Sequence, residues 1–243
     1  VQNSAGTVFF ALETEKRDGH QFIPDLIERG VTVFVVSKEI TISDSHITTI
    51  RVHNTLEALQ KLAQYHRQKY QIPVIGITGS YGKTIVKEWL YQLLSPDFLI
   101  CRSPKSFNSQ IGVPLSVLLL NETHTLGIFE AGISEVGEME KLESILKPSI
   151  GVLTRMGEAH QDGFVSLEQK EKEKVRLFKN VTERVTFESE IEGFEFPFTD
   201  KSSVENCKIC IAVMQKMGYT QATIQSRISH LSPLALRLEM KKG

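Results

Sequence analysis

Residues 76–89 read GITGSYGKTIVKEW, between the apolar run Ile72-Pro73-Val74-Ile75 and a stretch with helical spacing. Glycines at 79 and 82 let the backbone curl tightly and approach a ligand closely. A strand that ends in Thr78-Gly79-Ser80-Tyr81-Gly82-Lys83-Thr84 and opens a helix gathers backbone N–H groups and the positive end of a helix dipole at one point. Phosphate suits that point. Lys83 is placed to reach terminal phosphates, and the Thr84 hydroxyl to ligate Mg²⁺. The spacing is tighter than GxxxxGK[ST], because Ile77 stands where the first glycine of that pattern would fall. A structural turn carrying GKT by chance is the competing reading.

Mg²⁺ takes hard oxygen ligands, so a carboxylate near the end of a neighbouring strand is expected. LGIFEAGIS supplies Glu130. An acid between Phe129 and Ala131 on a buried strand is costly unless it binds metal or is paired, so ligation and a salt bridge with a core lysine both stay open. TRMGEAH places His160 at a comparable sheet edge, where a lone histidine is more often structural than a ligand. CKIC at 207–210 sits in an apolar pattern of helical spacing, and it lacks the second CxxC or histidine pair of a zinc site; two partly buried thiols are expected.

These residues need a scaffold. TVFFAL, a helix over GHQFIPDLIERG and the run VTVFVVS make a βαβ unit with parallel strands. A helix over TLEALQKLAQYHRQKY follows, and a domain boundary is placed near Tyr70 to Ile72. The rhythm then repeats: strand PVIGIT, a helix from Lys83 to about Leu94, a helix or buried run over GVPLSVLLL, and strand LGIFEAG. A helix over GEMEKLESILK, strand SIGVLT, a charged helix over SLEQKEKEKVRLFKN and two helices over 203–217 and 221–231 complete it. The fold class is α/β: a small N-terminal α/β domain, then a P-loop domain with a mostly parallel sheet covered by helices. RVTFESEIEGFEFPFTD shows no readable period, and SPLALRLEMKKG begins an extended segment.

Composition narrows the class. The 243 residues are 41% hydrophobic and 23% charged, with 28 Lys plus Arg against 29 Asp plus Glu, so no long-range field argues for nucleic acid or an anionic membrane. No apolar run approaches the roughly 20 residues that span a bilayer, and Val1-Gln2-Asn3-Ser4 does not start a signal pattern. Three cysteines are too few for a disulfide framework and fit a reducing compartment, so a cytoplasmic location is expected.

The stretches GITGSYGKT, VKE, SFNSQIGVPLSV, FEAGIS, GEAH, SLEQK, SVENC and LALRLEM together resemble the Mur ligase superfamily, the ATP-dependent amide-forming enzymes of peptidoglycan synthesis. The resemblance covers nearly the whole chain. It is strongest to the branch that joins D-alanyl-D-alanine to a UDP-N-acetylmuramoyl tripeptide, in a form often fused to an alanine racemase. Folylpolyglutamate synthases share the architecture but not FNSQIGVP and GEAHQDGF.

The resemblance implies roles for individual residues. Gly79, Ser80, Tyr81, Gly82, Lys83 and Thr84 would hold the ATP phosphates, with Thr84 and Glu130 on one Mg²⁺ and His160 on a second. It further implies a carbamylated lysine on the second metal, which the step from His160 to LF assigns to Lys174, with Lys170 and Lys172 on the same helix. Asn108 and Ser109 would lie near substrate, Ser109 standing where many relatives have a second asparagine and Arg155 where asparagine is usual. Residues 1–71 resemble a UDP-substrate domain without its first strand, 72–232 the ATPase domain, and 233–243 the entry to a C-terminal domain. The implied chemistry is carboxylate activation as an acyl phosphate, followed by amine attack. Another Mur-type or folylpolyglutamate-type amide ligase, a P-loop phosphotransferase, and a scaffold half of a fusion protein are the alternatives.

Overall fold

The computed structural model describes residues 6–14, 17–157 and 163–232. In the N-terminal part, β1 (Val8–Phe10), a short antiparallel hairpin of β2 (Glu13–Thr14) and β3 (Arg17–Asp18), α1 (Ile23–Glu28), β4 (Val33–Val36) and β5 (Thr48–Arg51) follow in order. The expected βαβ unit is present, with β1, β4 and β5 forming a parallel sheet in that order. Ala11, Ile23, Val31, Phe34 and Val36 form its core. The helix expected over 19–30 is split: the Asp18 carboxylate accepts the His20 N–H and opens one 3-10 turn (Gly19–Phe22), and α1 follows with Pro24 in its first turn. β5 was not anticipated, since all four of its residues are exposed and no apolar run marks it.

The chain divides into two compact units between Tyr65 and His66, inside α2 (Thr55–Gln68). The second unit runs β6 (Val74–Thr78), α3 (Lys83–Leu94), β7 (Ile100–Arg102), α4 (Gly112–Val117), β8 (Leu126–Glu130), α5 (Glu138–Leu146), β9 (Ile150–Leu153), α6 (Leu167–Lys174), β10 (Glu183–Thr186), α7 (Lys201–Lys216) and α8 (Gln221–Ile228). Its five strands are parallel in the order β10-β9-β6-β8-β7. The strands β6, β8 and β9 are buried throughout, as a sheet covered on both faces requires.

This order fixes where chemistry can occur. The chain leaves β6 toward β7 on one side, while β9 lies on the other, so the carboxyl ends of β6, β8 and β9 border a topological switch point. The register sets Ile77 against Glu130 and Thr78 against Leu153, which brings Gly79, Glu130 and Thr154 to one edge.

Helices lock that edge. α3 and α7 bury Val86, Leu90, Leu93, Cys207, Cys210 and Met214 in the shared core. Trp89 stacks on Phe198 at 4.6 Å and 7° and donates its Nε1–H to the Ser232 carbonyl at 3.1 Å. The unreadable stretch 184–200 contributes most of the edge strand β10, the buried Ile191 and Phe198, and the partly buried Phe187, Phe194 and Phe196 that pack on the same core. Both CKIC thiols are wholly buried on α7, deeper than expected, and burial pushes Cys207 up to about 12 and Cys210 well above its ordinary value. Among the described residues no helix is long and apolar enough to cross a membrane.

Candidate functional site

The turn after β6 is built as its sequence suggests, with one difference. Gly79 (φ +139) and Gly82 (φ +84) take conformations that side chains disfavour. Each is also sterically required: a Cβ on Gly79 would stand 2.1 Å from Thr154 Oγ1, and one on Gly82 2.4 Å from Asn206 Oδ1. Gly82 caps α3, so Lys83 and Thr84 occupy its first turn, where backbone N–H groups have no partner within the helix. The difference lies at Ser80 and Tyr81, whose N–H groups both donate to the Arg155 carbonyl, at 3.0 and 3.1 Å. The anion-facing donors in this state are therefore those at the start of α3 rather than the whole loop.

Three lysines converge beside that turn. Lys83 Nζ donates to the Gly79 carbonyl at 2.8 Å, and Lys174 Nζ donates to the same carbonyl at 3.0 Å. Lys170 Nζ donates to the Gly157 carbonyl at 3.0 Å. All three line a cavity of about 210 Å³ together with Gly79, Ser80, Asn108, Ser109 and Ser134. Burial lowers the pKa of each amine, helped by mutual repulsion at Lys83 and Lys174, and Lys174 falls to about 7. Such a cluster is stabilised when an anion enters. Lys170 and Lys174 share the inner face of α6 because they are one turn apart, whereas Lys172 points to solvent and pairs with Glu168 at 2.6 Å.

Glu130 ends β8, wholly buried. Its Oε2 accepts from the Thr84 hydroxyl at 3.1 Å and faces Asn108 Nδ2 at 3.5 Å. Its Oε1 forms an ion pair with Lys87 Nζ at 3.0 Å, and that amine also donates to the Ser103 and Lys105 carbonyls. The salt bridge with a core lysine is present at Oε1, while Oε2 faces only the neutral Thr84 and Asn108 side chains. This is the donor set that a hard dication takes.

Other side chains brace the turn and the cavity. Asn108 is held by its own carbonyl, which accepts the Gly132 N–H at 2.7 Å, and Ser109 Oγ accepts the Gly112 N–H at 3.1 Å. Asn206 on α7 braces Gly82, and Arg155 pairs with Glu205 at 3.2 Å on the same helix. Lys87, Glu205 and Asn206 lie in VKE and SVENC, stretches that carried the resemblance, but no role of their own was legible there. His160 and LALRLEM lie outside the described residues.

A family model described as Mur ligase middle domain matches residues 77–214, and one described as Mur ligase family, catalytic domain, matches residues 1–67. The chain belongs to the Mur ligase family. Among curated relatives, the UDP-N-acetylmuramoyl-tripeptide--D-alanyl-D-alanine ligase of Rickettsia prowazekii is 41% identical over 175 residues, 72% of this chain and 38% of that protein. The enzyme of the same name from Bacillus subtilis is 32% identical over 176 residues, again 72% and 38%. This Mur ligase chain therefore spans well under half the length of those relatives. MurF from Acinetobacter baumannii superposes with a TM-score of 0.84 at 23% identity, over 96% of this chain and 61% of that one. MurF ligase from Thermotoga maritima, solved with ADP, gives 0.79 at 21%, over 96% and 66%. At these identities the structures establish the Mur ligase fold.

Proposed function

We propose that the protein acts in an ATP-dependent ligase that joins D-alanyl-D-alanine to a UDP-N-acetylmuramoyl tripeptide through an acyl phosphate, in the cytoplasm, where such nucleotide-linked precursors and ATP meet. The observation that carries this reading is the convergence of Lys83, Lys170 and Lys174 on a cavity whose rim holds Asn108, Ser109 and the start of α3. The name shared by the relatives selects the substrate within the family.

In this reading ATP lies with its phosphates at Gly79 to Thr84. Lys83 gives up its bonds to the loop carbonyls and turns to the terminal phosphates. Thr84 and Glu130 are the residues that would hold Mg²⁺: Oε2 of Glu130 lies 3.1 Å from the Thr84 hydroxyl and faces neutral groups, while Lys87 stands at the other oxygen. Bound there, Mg²⁺ would neutralise phosphate charge as it shifts to the leaving oxygen. Asn108 and Ser109 face the acceptor side and orient the tripeptide carboxylate toward the phosphate. Lysine amines around an otherwise repulsive carboxylate–triphosphate pair supply electrostatic stabilisation that needs no reorganisation during transfer.

Lys174 fits the proposed carbamate. Its pKa of about 7 leaves much of the amine neutral and nucleophilic toward CO₂, and the product would be an anion beside Lys83 and Lys170. His160 and this carbamate would serve a second Mg²⁺. The N-terminal residues 1–71 would carry the UDP moiety.

The test is phosphate release by the intact protein with ATP, Mg²⁺ and UDP-N-acetylmuramoyl tripeptide, with and without D-alanyl-D-alanine, beside a folate-plus-glutamate control. Release that requires the dipeptide supports the proposal. Release with folate instead, or no release with either acceptor set, overturns it.

A further inference from the structure

Lys87 has no part in the chemistry above, yet its side chain is wholly buried. Its amine donates to the Ser103 carbonyl at 2.8 Å and to the Lys105 carbonyl, and it stands 3.0 Å from Glu130 Oε1 and 3.1 Å from Glu88 Oε1. Glu88 is paired in turn with Arg102 at 3.0 Å. Arg102, Glu88, Lys87 and Glu130 therefore form an alternating row whose charges balance before any cation binds. The two carbonyls fix the ammonium, and Lys105 holds a positive φ of 49° in the segment that provides one of them.

A dication bound to Glu130 Oε2 and Thr84 would meet this fixed ammonium on the other oxygen of the same carboxylate. Repulsion between charges so close and so poorly solvated is strong. Phosphate oxygens on the far side of the metal would offset it.

We propose that Lys87 is a positioning residue that prevents a free divalent cation from loading onto Glu130 and Thr84, so that the metal enters together with nucleotide phosphate. The inference rests on the assignment of Glu130 and Thr84 as metal-holding residues. A plain structural tie between α3 and residues 103–105 would leave metal affinity unmoved.

The experiment is Mn²⁺ binding to the intact protein, read by electron paramagnetic resonance of the free ion, with and without ADP. Lys87→Gln keeps donors for the two carbonyls and removes the charge; Lys87→Met is a second neutral variant, and Lys87→Arg restores the charge. Without nucleotide, the neutral variants are expected to bind Mn²⁺ about tenfold tighter than wild type, a typical coupling between sites. Lys87→Arg should stay near wild type, and adding Glu130→Gln should abolish the gain. Unchanged or weaker Mn²⁺ binding in both neutral variants, with Glu130→Gln still weakening binding in ADP, overturns the role of Lys87 while the metal assignment stands. Mn²⁺ binding in ADP that is indifferent to Glu130→Gln overturns the metal assignment, and this inference with it.

Discussion

Replacing Gly82 by alanine separates two demands that the turn makes on one residue. The backbone there has φ +84°, which costs an L-residue about 1–2 kcal/mol. The new Cβ would also stand 2.4 Å from Asn206 Oδ1, and Asn206 is buried, so its amide must turn away from Gly82 and re-seat among polar neighbours at about 1 kcal/mol. The sum is about 2–3 kcal/mol. Urea unfolding followed by the fluorescence of Trp89, the single tryptophan, stacked on Phe198 in the core, measures it directly. Adding Asn206→Ala removes the contact and leaves the backbone strain, so the double variant should show a favourable coupling of about 1 kcal/mol. Stability of Gly82→Ala within about 0.5 kcal/mol of wild type would refute the reasoning, because it would mean that the loop relaxes freely and that neither constraint is real.

Lys174, lowered from 10.5 to about 7 by burial and by Lys83 and Lys170, binds fewer protons folded than unfolded, so ligand-free stability should rise with pH from about 7 to 10.5. Between about pH 7 and 9 the gain is about 2 kcal/mol, and urea melts of Lys174→Met should lack most of it. Lys83→Ala should lower ligase turnover by about 10²–10³-fold or more while circular dichroism and the melting profile stay close to wild type; turnover near wild type would remove Lys83 from the mechanism. Cys207 and Cys210 are buried and held protonated, so a thiol reagent at mildly alkaline pH should label them only at the rate of unfolding, and prompt labelling of the native protein would contradict their placement on α7.

What could be read in advance was what the chain carries locally. The turn from Gly79 to Thr84 announces itself because glycine, lysine and threonine act within one loop, and β6, β8 and β9 because strands buried on both faces are apolar along their length. The strands β5, β7 and β10 span three or four residues and are partly or wholly exposed, so periodicity had nothing to detect. The separation of Lys170 and Lys174 from Lys172 follows from helix spacing and was legible in principle. The charge of the cavity was not. Lys174 and Lys83 reach the same Gly79 carbonyl only because α6 packs over the turn that follows β6, and Lys87 meets Glu130 only because the β6–β8 register sets that carboxylate beside α3. A lysine on a charged helix reads as a solvated face until the topology turns it inward. Here the same topology gathers three amines on one cavity, two of them on a single carbonyl, and sets a fourth against the carboxylate opposite, so the electrostatics that an anionic ligand would meet belong to the sheet order rather than to any motif.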